Sequence, residues 1–373
     1  MTGAAALPPE AWAAALAGLP GMGPARLRAV LGTWAPEEAW ARVAAGTGCS
    51  RPVVALACRP DPGGIAALWR AAAGRVSVDD IWNGHQRAGV AVSLPGGPGF
   101  PAELHVDLEP PAVLFSRGDA AALDGRRVAI VGTRRCTRYG RDVAYELGRD
   151  LASSGIRVVS GLALGIDGAA HRGALASGGA PPVAVVGSGL DVVYPPAHRP
   201  LWEQVAQAGL LLSEAPLAAR PEPWRFPVRN RVIAALAEVV VVVESAEKGG
   251  SRHTVEAAMA RDRTVMAVPG SVRSPVSSYT NGLLADGCHP VRDALDVLVA
   301  LGLSTVAQVP VDLRPEPGPE EAPVLQALGW EPATFDDLCA RSGHSPGQIS
   351  VGLARLQAGG WVVERAGWWE RVT

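Results

Sequence analysis

Between residues 126 and 270 the chain alternates short apolar runs with longer amphipathic segments. The runs are VAIVG (128–132), RVVSG (157–161), VAVVG (183–187), LLLSE (210–214), VVVVVES (239–245) and TVMAVPG (264–270). Near-continuous apolar runs of this length predict strands buried on both faces. The segments between them, such as GRDVAYELGRDLASSG (140–155), repeat their apolar positions at helical spacing. Strands alternating with helices predict an α/β fold, a Rossmann-like, doubly wound parallel sheet. In such a sheet the ligand site lies at the carboxyl ends of the strands, near the point where strand order reverses.

The flanks read differently. Residues 1–75 are Ala-rich with Leu, Trp and Val at helical spacing, which predicts a helical domain of helix-hairpin-helix or SAM-like type. Its stretch LPGMGPARLRAVL (19–31) has two glycines one residue apart, then a helix start near Pro24. Such a turn either offers backbone N–H groups to a phosphate or joins two packed helices. No second copy of it occurs. Residues 76–125 hold several prolines and read as loops around one strand, AVLFSRG (112–118), leading into the Rossmann-like central domain, which is taken to span 76–305. Residues 306–320 are Pro-rich and polar and read as a linker. Residues 321–373 then give a helix, a Thr-capped helix, a turn, a third helix and two short strands, which predicts a winged helix.

Charge narrows the function. The net charge is −2, so a nucleic-acid site has to be a local basic patch. The bases are almost all arginine, with Lys248 the one lysine. The five cysteines are scattered with no CxxC pair, which argues against a zinc site or a disulfide framework and fits reduced thiols in the cytoplasm. The first residues do not read as a signal peptide, and the valine run at 239–243 is too short to cross a bilayer. The protein is expected to be cytoplasmic, away from membranes. From 320 to 373 there are seven acids and four arginines, a net of −3, and the third helix (about 345–358) carries only Arg355. DNA binding needs several phosphate contacts, so this winged helix reads as a protein-contact or regulatory module.

The candidate chemistry follows the strands. After the first, Gly132 and Thr133 lead into Arg134, Arg135, Arg138 and Arg141 with no acid among them, an anion site beside a helix start. After the second, Ser160 and Gly161 precede Asp167 and His171, which share a helix face and are expected to cap the helix and brace the loop. Gly187 begins a third turn, and Gly250 and Ser251 lie in a fifth loop that can cradle a phosphate. The fourth stretch, FPVRNRVIAAL (226–236), places Phe226, Arg229, Asn230 and Arg231 together, preceded by Arg220, Trp224 and Arg225. A ring beside guanidiniums is how single strands are held: bases stack and phosphates are neutralised. The alternative for Phe226 is a packing role at the helix start.

Several classes are set aside. GxGxxG is missing and no acid follows the second strand at the ribose position, which argues against NAD or FAD. A two-metal nuclease needs clustered carboxylates, and only Asp167, Asp191 and Glu244 are candidates. No metal, cofactor or catalytic residue is expected.

The ordered run VAIVGTRRCTRYG, VVSGLALGIDGAAHRGAL, VAVVGSGLDVVYP, LLSEAP, FPVRNRVIAAL, VVVVES, GGSRHTVEAA and AVPG, over about residues 100–300, resembles the DprA/Smf family of DNA-processing proteins. The resemblance implies a non-enzymatic, single-stranded DNA-binding protein of natural transformation or recombinational repair. It implies protection of the strand, loading of RecA recombinase and homodimerisation through the Rossmann-like domain, with single-strand-binding protein as a further candidate partner. The family's glycine-arginine loop falls on Gly132, Thr133 and Arg134; its FPxRNR motif on Phe226, Pro227, Arg229, Asn230 and Arg231; and a preceding basic position on Arg225. Three places depart from the pattern: GTR for GSR, His198 at the end of the YPxxN turn, and Arg252 and His253 where apolar residues are usual. An enzyme of the same superfamily, a phosphoribohydrolase acting on nucleoside monophosphates, is the competing reading. It would use Glu256 beside a glycine turn, although the Pro of its PGGxGTxxE motif is missing here.

Overall fold

The computed structural model describes residues 6–303 and 314–372, in two compact units divided at residue 305. The first unit opens with six helices: α1 (Pro9–Ala17), α2 (Pro24–Leu31), α3 (Pro36–Ala44), α4 (Pro52–Ala57), α5 (Pro62–Ala73) and α6 (Val78–Arg87). Five of them begin on proline, whose fixed φ suits the first helical position and whose missing N–H costs nothing there. Next come β1 (Ala91–Ser93), α7 (Ala102–His105) and β2 (Leu114–Gly118). The alternating part follows: β3 (Arg127–Val131), α8 (Arg138–Ser153), β4 (Arg157–Ser160), α9 (Ile166–Ser177), β5 (Val183–Val186), α10 (Arg199–Ala208) and β6 (Leu210–Ser213). It continues with α11 (Arg225–Leu236), β7 (Val239–Val242), α12 (Arg252–Met259), β8 (Thr264–Ala267), α13 (Ser278–Ala285), β9 (His289–Pro290) and α14 (Ala294–Ala300).

All nine strands form one sheet in the order β1-β2-β6-β5-β4-β3-β7-β8-β9. From β6 to β9 every neighbouring pair is parallel, whereas β1 and β2 add an antiparallel edge. The valine runs are explained by their burial. Val239, Val241 and Val243 enter one core with α8, α9 and α14, and Val240 and Val242 enter the opposite core with α11 and α12. Successive side chains of a strand point to opposite faces, so a strand covered on both sides is apolar throughout.

The proline-rich lead-in is more ordered than its composition indicates. Residues 78–87 form a helix capped by Ser77, and residues 91–93 pair with β2. The N-terminal helices also share a core with the sheet: Leu27, Trp34 and Trp69 belong to the same buried cluster as Phe115, Ala184 and Trp202. Packing therefore runs continuously across residue 75.

Helices α8 and α9 lie close enough to touch through backbone. A Cβ on Gly173 would stand 1.9 Å from the Tyr145 carbonyl oxygen, and one on Gly148 2.2 Å from that of Ala170. Gly173→Ala forces the two helices apart and is expected to cost about 1–3 kcal/mol, as overpacking does. A lowered denaturant midpoint with unchanged slope checks this; an unchanged midpoint would show that the spacing of the helices is soft.

The second unit is a winged helix: α15 (Ala322–Leu328), β10 (Ala333–Thr334), α16 (Phe335–Ser342), α17 (Pro346–Ala358), β11 (Val362–Arg365) and β12 (Trp368–Arg371), with strand order β10-β12-β11. Thr334 caps α16 reciprocally with Asp337, and Ser345 caps α17 with Gln348. Of the stretch read as a linker, 306–313 lie outside the described residues. Residues 314–320 are part of this unit: Arg314 lies 4.1 Å from the Trp361 ring centroid, and Trp361 Nε1 donates to Pro315 O at 2.9 Å. Arg355, the one base on α17, pairs with Glu320 at 2.8 Å.

Candidate nucleic-acid interface

The chain builds the sheet outward from β3 through β4 and β5 to β6, then returns to add β7 on the other side of β3. The return crossover, residues 214–238, carries α11 past β5, β4 and β3. The FPVRNR stretch is thereby delivered to the switch point, where the loops after β3, β4, β5 and β7 converge.

There they enclose a groove of 610 Å³. Gly132, Thr133, Arg134 and Arg135 form one side, Phe226 and Asn230 another, and Gly250 and Ser251 close the end. Arg134 and Arg135 are exposed. The Arg134 guanidinium lies 4.9 Å from the Phe226 ring centroid, and Tyr194 lies 5.5 Å away from that ring at 35°. Half-buried Phe226 thus stands among a cation and a second ring, and Tyr194 keeps 37% of its surface open. Gly161 and Gly187 line a smaller recess behind the same ring. Asn230 Nδ2 reaches Gly250 O at 3.4 Å and ties the crossover to the loop after β7. The sequence singles out Phe226 but not Tyr194. The tyrosine sits in a turn 32 residues earlier, so no local spacing joins the two.

Beneath the groove lie two buried charged side chains, Arg229 and Asp167, each bonded to Gly161 rather than to the other. Arg229 is 7% exposed, its Nη1 donating to the carbonyls of Gly161 (2.8 Å) and Val185. A Cβ on Gly161 would stand 2.3 Å from Nη1, so only glycine admits the guanidinium here. Asp167, 6% exposed, accepts from Gly161 N at 3.2 Å. Burial lowers Arg229 to about 10, against the pull of Asp167, and raises the Asp167 carboxyl, against the pull of Arg229. Arg229 stays protonated at neutral pH and acts as the cationic floor of the groove, with part of its donor capacity already used. The turn above is strained: Leu162 adopts φ 53°, which costs a non-glycine residue roughly 1–2 kcal/mol. His198 Nδ1 donates to the Leu162 carbonyl at 3.0 Å and holds it there.

Several residues expected at the site lie elsewhere. Ser160 is fully buried and donates to Ile130 O at 2.6 Å, so it cannot reach a ligand. Arg231 points off the far side of α11, where it is buried against Glu214 and 3.5 Å from Glu109. Arg225 faces a different cleft. Arg138 is exposed at the start of α8, 3.5 Å from Asp142, and does not line the groove. The helix cap before Asp167 is Gly165, not Asp167, whose carboxylate holds the loop through Gly161 instead. His171 is fully buried, and burial lowers it to about 3, which keeps the imidazole neutral.

Asp167 is the one acid on the groove wall among the described residues. Glu256 is exposed on α12, 3.5 Å from His253, and does not line the groove. No described helix is long and apolar enough to cross a membrane.

The profile of the family described as DNA recombination-mediator protein A matches residues 92–302, more than half of the chain, and that of the DprA winged helix domain matches residues 308–367. The chain belongs to the DprA/Smf family. Among DprA/Smf relatives it is 32% identical to Protein Smf of Escherichia coli, over 73% of this chain and 75% of that one. It is 38% identical to the DNA processing protein DprA of Bacillus subtilis, over 54% and 68%. The DprA structure from Streptococcus pneumoniae superposes with a TM-score of 0.65 at 28% identity, covering 79% of this chain and 98% of that one. The family member from Helicobacter pylori, described for its single-stranded DNA binding mode, superposes with a TM-score of 0.50 at 30% identity, covering 57% and 95%.

Proposed function

We propose that this chain binds single-stranded DNA in the strand-end groove, shields it, and serves DNA processing in natural transformation or recombinational repair. The observation that carries the reading is Phe226, set between the exposed Arg134 and Tyr194 over a groove whose floor is cationic. Rings offer stacking without base identity, and guanidiniums take phosphates, so the site suits a strand of any sequence. Among the described residues Asp167 is the single acid on the wall, buried and in the field of Arg229, which fits retention of a phosphodiester rather than metal-assisted cleavage. Membership of the DprA/Smf family and the single-strand binding described for the Helicobacter pylori protein support the same ligand.

The finer reading has the protein load RecA recombinase onto the strand, act as a homodimer through the Rossmann-like unit and work in the cytoplasm without catalysing a reaction. The acidic winged helix, its Arg355 engaged by Glu320, is read as a protein-contact module. The deciding experiment is a titration of labelled oligo-dT against its duplex at two salt concentrations. Tight, salt-sensitive binding that prefers the single strand is expected. Without that preference the reading falls, and release of free base from AMP or CMP would favour the phosphoribohydrolase.

A further inference from the structure

A second cleft, 1180 Å³ against the groove's 610 Å³, lies between the Leu19–Pro24 turn and the crossover. The two share a wall at the start of α11. Pro227 borders both, Phe226 faces the groove, and Trp224 and Arg225 face the cleft. A strand leaving Phe226 therefore needs only to cross one turn of chain to enter the cleft.

The chemistry of the groove is repeated there. Trp224 is 43% exposed, and the Arg225 guanidinium sits 4.5 Å from its ring centroid, as Arg134 sits 4.9 Å from Phe226. The opposite wall is the Pro20-Gly-Met-Gly-Pro24 turn, with Gly21 at φ 71°. The N–H groups of Ala25 and Arg26 at the start of α2 have no acceptor among the described residues. Two carboxylates also line the cleft: Glu109 is taken by Arg231, and Glu222 lies 3.4 Å from Arg225 and accepts from Trp224 Nε1 at 2.6 Å. Arg26 and Arg28 bond only carbonyls, those of Gly21 and Ala57 and that of Pro110, and form no ion pair among the described residues. The cleft thus carries uncompensated positive charge, a half-open ring and free backbone donors on facing walls.

We propose that this cleft is a second nucleotide subsite, which takes the continuation of the single strand held in the strand-end groove. The proposal rests on the reading of that groove as the single-strand site. A base stacks on Trp224 beside Arg225, and its phosphate meets Arg26 and the N–H groups at the start of α2. The helix-hairpin-helix-like turn then acts on the same strand as the Rossmann-like sheet, not on a separate duplex.

Anisotropy titrations of the full chain with labelled oligo-dT of about 4 and about 12 nucleotides, lengths within the range of single-strand sites, test it. The expected result is that Trp224→Ala weakens the longer oligonucleotide about tenfold and leaves the shorter unchanged, with Trp224→Phe restoring most of the loss. Equal binding of the longer strand by parent and Trp224→Ala would overturn the proposal. So would an equal loss at both lengths, which would mark Trp224 as a support of the fold. If the parent binds neither length, the groove reading fails first; if the short strand binds and Trp224→Ala changes nothing, only the second subsite fails.

Discussion

Arg229→Met is expected to lower stability by about 1–3 kcal/mol, the scale of leaving buried polar groups without their hydrogen-bond partner. The substitution keeps an unbranched apolar stem but removes the guanidinium whose field favours the ionised Asp167 carboxylate beneath the groove. It also removes the donor to the carbonyls of Gly161 and Val185. Guanidinium unfolding midpoints of parent and variant measure the loss. The pH dependence identifies the cause. Burial raises the native Asp167 carboxyl above its unfolded value. A raised acid favours its protonated form in the native state, so its stabilising effect is full below the unfolded value of about 4 and is lost as pH rises through the native one. Without Arg229 the carboxyl rises further. The variant's deficit should therefore be smallest at acid pH and grow toward neutrality, and adding Asp167→Asn should recover part of it. A deficit that ignores pH, or no deficit at all, would show that the pair does not organise the floor of the groove.

The second large effect concerns the ring and its cation. Phe226→Ala is expected to weaken oligo-dT binding by roughly 1–3 kcal/mol, the value of one stacked base. Arg134→Ala should weaken it for all sequences alike and lower the slope of log affinity against log salt by about 0.7, one phosphate contact on a single strand. Arg134 is exposed and Phe226 half-buried, so both variants should keep the parent's unfolding midpoint, in contrast to Arg229→Met. Salt-series titrations with folded proteins check this. Parent-like binding by both variants would remove the groove from the binding path.

These variants separate two kinds of residue that are indistinguishable along the chain. Arg229 and Arg231 are two residues apart in one motif. On a helix that is about 200° of rotation, so one enters the sheet ends while the other meets Glu109 and Glu214 behind the helix. Which arginine is floor, which is strut and which is open to solvent depends on carbonyls and carboxylates far away in the chain. Gly161 and Val185, the acceptors of Arg229, lie 68 and 44 residues from it. Ser160 illustrates the same point: it follows a strand, as a ligand-binding residue would, but its hydroxyl is spent on Ile130 O of the neighbouring strand. Residues 78–93 were obscured differently, since the Pro and Gly signals just beyond them mask a capped helix and an edge strand stabilised by pairing with β2.

What the sequence determined by itself is the alternating parallel architecture, the winged helix and the loops that gather at the switch point. Burial on both faces writes a strand as an unbroken apolar run, and helix caps and glycine turns are local chemistry. The tilted approach of Tyr194 to Phe226, the burial of Arg229 near Asp167, the core shared by the N-terminal helices and the sheet, and the cleft facing the Leu19–Pro24 turn were decided only by tertiary structure. Each joins groups distant in the chain, and such contacts have no sequence period to reveal them.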